Sequence, residues 1–190
     1  MGLDQYLTAN IYIGRYAKEP EERWKLQEHI KDFFEGLEVK ATSLELDIAY
    51  WRKSNQVHKW FVDNCQDGND DCGNYSVETE QIQELIDLCK LALKTAKTEK
   101  TDKIYGGTKW ENGVRSDIMV DGFVITNPEE IAELLPTEGG FFFGGTGYDS
   151  YYLEDIEYTK NVLEAGLKLI KELHEKFPDF WASFEYRSSW

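Results

Sequence analysis

Apolar side chains along this chain switch repeatedly between a spacing of two and a spacing of three to four. That alternation limits the possible folds more than any other feature. In residues 3–16, Leu3, Gln5, Leu7, Ala9, Ile11 and Ile13 fall on one side and Tyr6 and Tyr12 on the other, predicting a strand with an aromatic second face. Residues 21–37 carry Trp24, Ile30, Phe33, Phe34 and Leu37 in an irregular helical pattern. Leu44, Leu46, Ile48 and Tyr50 alternate with Ser43, Glu45, Asp47 and Ala49, a second strand that ends at Trp51. A helix over 54–65 follows. Ser76 is placed to cap another, whose stripe is Ile82, Leu85, Ile86, Cys89 and Leu93.

Residues 104–126 hold the turn dipeptides Gly106-Gly107 and Asn112-Gly113 between short β-like runs, which predicts one or two hairpins. Asn127-Pro128-Glu129-Glu130 is a helix start: Asn caps, Pro takes the first position, two acids complement the positive end, and Pro136 stops the helix. Ile156, Leu163, Leu167 and Ile170 give helical spacing across 152–177, and 180–186 reads as a terminal strand. No repeat or linker divides the chain. The sum predicts a single α+β domain over 1–190, its largely antiparallel sheet covered on one face by amphipathic helices.

Charge narrows the partners. The 190 residues hold 21 Lys plus Arg against 36 Asp plus Glu, a formal net charge of −15. Such a surface repels a polyphosphate backbone and anionic lipid, so neither nucleic acid nor a membrane is an expected partner. No apolar run approaches the ~20 residues that span a bilayer, and no basic segment leads into a hydrophobic one at the start, which predicts a soluble intracellular protein. Cys65, Cys72 and Cys89 are odd in number and lack metal-ligand spacing, so reduced thiols are expected, with no metal or other cofactor.

Against that acidic background, the segment from Trp51 to Phe61 carries Arg52, Lys53, Lys59 and His58 with no acid among them. It lies where a strand hands over to a helix, so free backbone N–H groups can join Arg52 and Lys53 in holding an anion. At helical spacing Trp51, Asn55 and His58 share a face suited to a base or ribose, while Val57 and Phe61 point inward. The opposing reading pairs the cations with surface acids and makes His58 structural. A second segment, Gly139-Gly140-Phe141-Phe142-Phe143-Gly144-Gly145-Thr146-Gly147-Tyr148-Asp149, reads either as close-approach backbone for a ligand or as a buried strand over 141–143 ended by a turn. It is not a Walker loop. In the third, Asp67, Asn69, Asp71 and Glu78 follow the calcium-loop count until Cys72 replaces the required glycine, so a solvated loop whose Asp side chains cap the next turn is favoured over a metal site. A metal-assisted hydrolase would need Asp70, Asp71 and His58 to converge.

Gly2-Leu3-Asp4-Gln5-Tyr6-Leu7, the Tyr50 to Phe61 segment, Asp70-Asp71-Cys72 and the block from Leu134 to Tyr152 together resemble a family of small tailed-phage and prophage proteins. Its patterns run GLDxYL, YWRKxNxxHxWF, DDC and LLPTxxGFFFGxTxYDxYY. The resemblance implies a phage protein acting in the host cytoplasm, of a size at which many neutralise host defence, some by sequestering a nucleotide second messenger. In that setting Arg52 and Lys53 would hold phosphates. Trp51, Trp60 and Tyr148 would offer stacking faces beside Phe143, and Asn55, His58, Asp71 and Thr146 would read the base and ribose. The expected partner is a small cyclic or ADP-ribose-derived nucleotide held without cleavage, with a homo-oligomer left open. The alternatives are a metal-dependent hydrolase of such nucleotides and an acidic adaptor that inhibits a host protein.

Overall fold

The computed structural model describes residues 2–12, 42–178 and 180–190. Ten elements follow in order: β1 (Asp4–Tyr12), β2 (Ser43–Arg52), α1 (Asn55–Cys65), β3 (Asn74–Val77), α2 (Thr79–Thr95), β4 (Thr98–Glu111), β5 (Val114–Ile125), α3 (Pro128–Ala132), α4 (Ser150–Lys176) and β6 (Trp181–Ser189). The helix expected over 21–37 and the end of the first strand beyond Tyr12 lie outside the described residues.

The α+β reading holds. Strands β2-β1-β6-β3 form an antiparallel four-stranded sheet. Leu7, Ala9, Ala49, Phe184 and Tyr186 line its inner face, against Val57 and Phe61 of α1 and the stripe Ile156, Leu163 and Ile170 of α4. Ile82, Leu85, Ile86 and Cys89 of α2 are buried as the stripe predicts. Gly166 lets α4 lie close on the sheet: a Cβ there would come within 3.1 Å of Ile48.

Several local expectations are corrected. Opposite β1, Leu7 pairs with Ala49 but Thr8 pairs with Asp47, so Ile48 is an extra residue in β2. A one-residue bulge reverses every later side chain. Tyr50 therefore points outward, and Trp51 turns into the core. Ser76 caps nothing. It sits in β3 opposite Glu185, and α2 begins at a capping box in which the Glu78 N–H donates to Gln81 Oε1 at 2.8 Å. Asn127 precedes α3, but its amide is used elsewhere: Oδ1 accepts from Lys97 N at 2.8 Å and Nδ2 donates to Thr95 O at 3.1 Å, tying the α2–β4 junction. Residues 104–126 belong to one long hairpin, within the one or two expected. Asn112 and Gly113 have φ of 51° and 79°, the positive pair that a tight two-residue hairpin turn demands, whereas Gly106 is a bulge inside β4. Residues 141–143 are a turn, not a buried strand, and Phe141 is 96% exposed. The other reading of the Asp67 to Gly73 loop stands: the Asp71 carboxylate accepts from Gly73 N and Tyr75 Oη.

Candidate functional site

The two segments that carry the cations and the flanked phenylalanines meet. Asn55, the first residue of α1, is 1% exposed and clasps the second segment. Its Nδ2 donates to Phe143 O at 3.1 Å and Gly145 O at 2.8 Å, and its Oδ1 accepts from Glu138 N at 2.9 Å. The N-terminal residues join the same seam, since Leu3 N donates to Phe142 O at 3.0 Å and Lys53 N to Leu3 O at 2.8 Å. Lys53 lies at the crossing. A Cβ on Gly2 would meet Lys53 Cε at 3.2 Å, and one on Gly144, at φ +89°, would meet Lys53 Cβ at 3.0 Å. Lys53 itself has φ 63°, a left-handed conformation that costs a non-glycine residue about 1–3 kcal/mol and is held only where its surroundings enforce it.

The three cations differ in their freedom. Lys59 pairs with Asp63 at 3.1 Å and Glu138 at 3.5 Å, as the opposing reading expected. Arg52 Nη1 contacts Asp4 Oδ1 at 3.1 Å and the Tyr50 hydroxyl lies beside it, yet the side chain is 56% exposed and keeps several of its five N–H donors available. Hydrogen bonding by the Tyr50 hydroxyl, then the Asp4 charge, raises the guanidinium above its ordinary value, so it stays a fixed cation. Lys53 is exposed and has no acidic partner among the described residues.

Beneath this rim lies a buried polar ladder. Tyr186 Oη donates to Gln5 Oε1 at 3.1 Å, and Gln5 Nε2 donates to Ser54 O at 3.1 Å. His58 Nδ1 lies 2.8 Å from Tyr186 Oη and Nε2 lies 3.1 Å from Asp70 Oδ2, while Asp70 Oδ1 accepts from Trp190 Nε1 at 3.0 Å. Burial pushes the Tyr186 hydroxyl well above its usual range, keeping it neutral. The ring of Tyr186 stacks on Phe61 at 3.9 Å and 11°. His58 is 1% exposed and both ring nitrogens are engaged, so it reads no ligand from this position.

The remaining expected site residues fall as follows. Trp51 is 2% exposed, with Nε1 donating to Thr159 Oγ1 at 2.8 Å and its ring against Phe61 and Tyr158; the Ile48 bulge placed it there, so it is not a stacking face. Trp60 is buried, edge-on to Phe61, and borders a separate cleft of about 220 Å³ with Lys59, Asp63 and Pro136. Tyr148 packs on Tyr152 and its hydroxyl accepts from Thr137 N, which removes it as a platform. Phe143 meets the His58 ring edge-on at 5.2 Å and serves as a lid on the ladder. Asn55 is a structural clasp. Thr146 is exposed beside the seam, its carbonyl accepting from Thr137 Oγ1. Asp70 reaches His58, but Asp71 turns away, bonded to Gly73, Tyr75 and Asn69, which lowers its carboxyl below the usual value chiefly through the Gly73 N–H. Among the described residues no three metal-ligating side chains converge. Cys65 and Cys89 are separate thiols whose burial pushes both up to about 12.

The rings that reach the surface at this end include Tyr50, Phe141 and the half-buried Tyr6, none of them among the expected site residues. Tyr50 and Tyr6 lie side by side on the outer sheet face at 5.4 Å, and Arg187 sits 4.4 Å over the Tyr6 ring. Phe141 caps Phe142 edge-on at 4.9 Å. The alternation of Tyr6 with the inward set was the available signal for the outer face. The bulge that brings Tyr50 beside it left no such trace.

Asp155 of α4 backs α1, accepting from Gln56 Nε2 at 3.2 Å, and its partial burial raises its carboxyl above the usual value. With the folded value above the unfolded one, the contribution of Asp155 to stability is highest in acid. It is lost as pH rises from the unfolded value near about 3.9 to the folded one, and stays lower above that. Asp155→Asn is therefore expected to melt higher than wild type at pH 7, with the gap closing below about pH 3.9. Thermal unfolding followed against pH checks this, and a gap constant with pH would contradict it.

A four-stranded antiparallel sheet backed by helices, with a seam of backbone and cations at one end, is the class of protein these elements define. No family model, no curated protein and no solved structure matches the chain.

Proposed function

We propose that the chain binds a small nucleotide-type anion at the rim around Lys53 and holds it without cleaving it. One observation carries this reading: Gly2-Leu3, Arg52-Lys53 and Phe142-Gly144 come from three distant stretches of an acidic chain and converge on an exposed lysine in a strained conformation. Arg52 and Lys53 would take the phosphate groups, with Phe141 and Tyr50 as stacking faces in place of the buried Trp51 and Trp60 and the hydrogen-bonded Tyr148. Stacking contributes about 1–3 kcal/mol per base, and a charge-assisted hydrogen bond about 1.5–3 kcal/mol, enough together for a retained ligand. The enclosed, doubly bonded His58 supports holding over hydrolysis. Combined with the resemblance to small tailed-phage proteins, the site fits sequestration of a nucleotide-derived immune second messenger in the host cytoplasm.

Calorimetric titration of cyclic mono-, di- and trinucleotides and ADP-ribose derivatives tests this, using wild type, Arg52→Gln and Lys53→Asn. Asparagine tolerates the left-handed backbone, so the lysine change removes charge without adding strain. One ligand is expected to bind wild type, weaken about tenfold or more with each variant, and elute intact after the protein is denatured. New products in the eluate would establish the hydrolase instead. No heat from any ligand would end the proposal and leave the acidic adaptor.

A further inference from the structure

Strands β4 and β5 stand apart from the four-stranded sheet as a two-stranded ribbon. Both of its faces carry exposed apolar side chains. By the β4–β5 register, Val114, Ile118, Val120 and Val124 share one face, and Tyr105, Trp110, Met119 and Phe123 share the other. Trp110 is 69% exposed and Val114 66%. An isolated two-stranded ribbon is marginal in water, and patches of this extent mark contact surfaces.

The charges of the ribbon and its free edge indicate what covers it. From Thr98 to Ile125 four basic residues stand against five acidic ones, so the ribbon is nearly neutral in a chain of net charge −15. A second copy, equally acidic, meets least repulsion there. Both register slips fall on the β4 side, which leaves β5 regular. Phe123 N donates to Ser150 Oγ and Ile125 N donates to Tyr148 O, so the odd-numbered residues of β5 turn their backbone groups away from β4. Outward of Phe123, residues 115, 117, 119 and 121 have no backbone partner on that edge among the described residues.

We propose that two copies of this chain join through β5, antiparallel and edge to edge, about a two-fold axis at Ile118, forming a continuous four-stranded sheet. In that register Asp117 and Met119 of opposite copies exchange hydrogen bonds, as do Arg115 and Asp121. The latter pair sets a cation beside a carboxylate twice, in place of Arg115's exposed 3.5 Å contact with Asp117 of its own chain. Ile118 meets its own symmetry mate on the aliphatic face. The self-complementary charge pair selects this register over neighbouring ones.

The register is tested by oxidation and by charge exchange. A residue on the axis at a non-hydrogen-bonded pair lies about 4.5 Å, Cα to Cα, from its mate, within disulfide reach. In a Cys72→Ser background, which removes the exposed native thiol, Ile118→Cys should give a covalent dimer under mild oxidation and Val114→Cys should not. Sedimentation should show a wild-type dimer at micromolar concentration, a monomer for Arg115→Asp, and a restored dimer when Asp121→Arg is added. A monomeric wild type would overturn the proposal. So would a dimer that neither cross-links at residue 118 nor responds to Arg115→Asp, since another surface must then hold it.

Discussion

Phe61→Ala is expected to remove about 3–5 kcal/mol of stability, the range for deleting a fully buried aromatic ring. Phe61 has no exposed surface, stacks on Tyr186 at 3.9 Å, and meets Trp51 and Trp60 at 6.0 and 5.3 Å, so three large rings lose a neighbour at once. The rings cannot collapse into the space, because Tyr186 is held by Gln5 and His58, and Trp51 by Thr159. Against a domain stability of about 5–15 kcal/mol this is a large share. Phe61→Leu keeps most of the volume and should cost far less. Urea unfolding by intrinsic fluorescence would show the order wild type, Leu, Ala in midpoint with an unchanged slope. A midpoint for Ala within experimental error of wild type would mean that the ring stack is not a supporting element.

Asn55→Ala is expected to unfasten residues 137–147 from α1. Two carbonyls and the Glu138 N–H lose their partners, at about 1–3 kcal/mol for each group that stays buried and unpaired. Asn55→Asp should be nearly as damaging despite its equal size. A carboxylate can still accept from Glu138 N but has no N–H for Phe143 and Gly145, and its charge faces two carbonyl oxygens. Faster hydrogen exchange at the Glu138 amide and new protease cuts within 137–147 are the readouts. Because Gly144 packs on Lys53 from this same loop, the nucleotide binding proposed above should weaken with them. An Asp variant with native protection would show that the clasp works by shape and not by its donors.

Much of the architecture was legible because period and capping are local. The α2 stripe, the α4 stripe and the Asn112-Gly113 turn each state their geometry within a few residues, and the helix of 54–65 was read to within one residue as α1 (Asn55–Cys65). The strand β3 escaped because four residues carry too few alternations to register, and Ser76 within it is a good cap in isolation. It is a strand only because β6 lies beside it.

The site shows the same division more sharply. That residues 50–61 and 139–149 share a seam only the fold decided, although the unusual composition of each segment was legible in the chain. Which side chains face outward was not, because a single bulged residue, Ile48, exchanges Tyr50 for Trp51 between the two sheet faces. Whether a polar group is free was equally hidden: Asn55 and His58 look like ligand contacts in the chain and are used up by loop carbonyls, Tyr186 and Asp70 once it folds. The sequence by itself determined most of the element types, the excess of acid and the local concentration of cations, since these depend on neighbours along the chain. Only the tertiary structure decided face, exposure and availability, because a bulge and a long-range hydrogen bond act between residues whose separation the chain does not state.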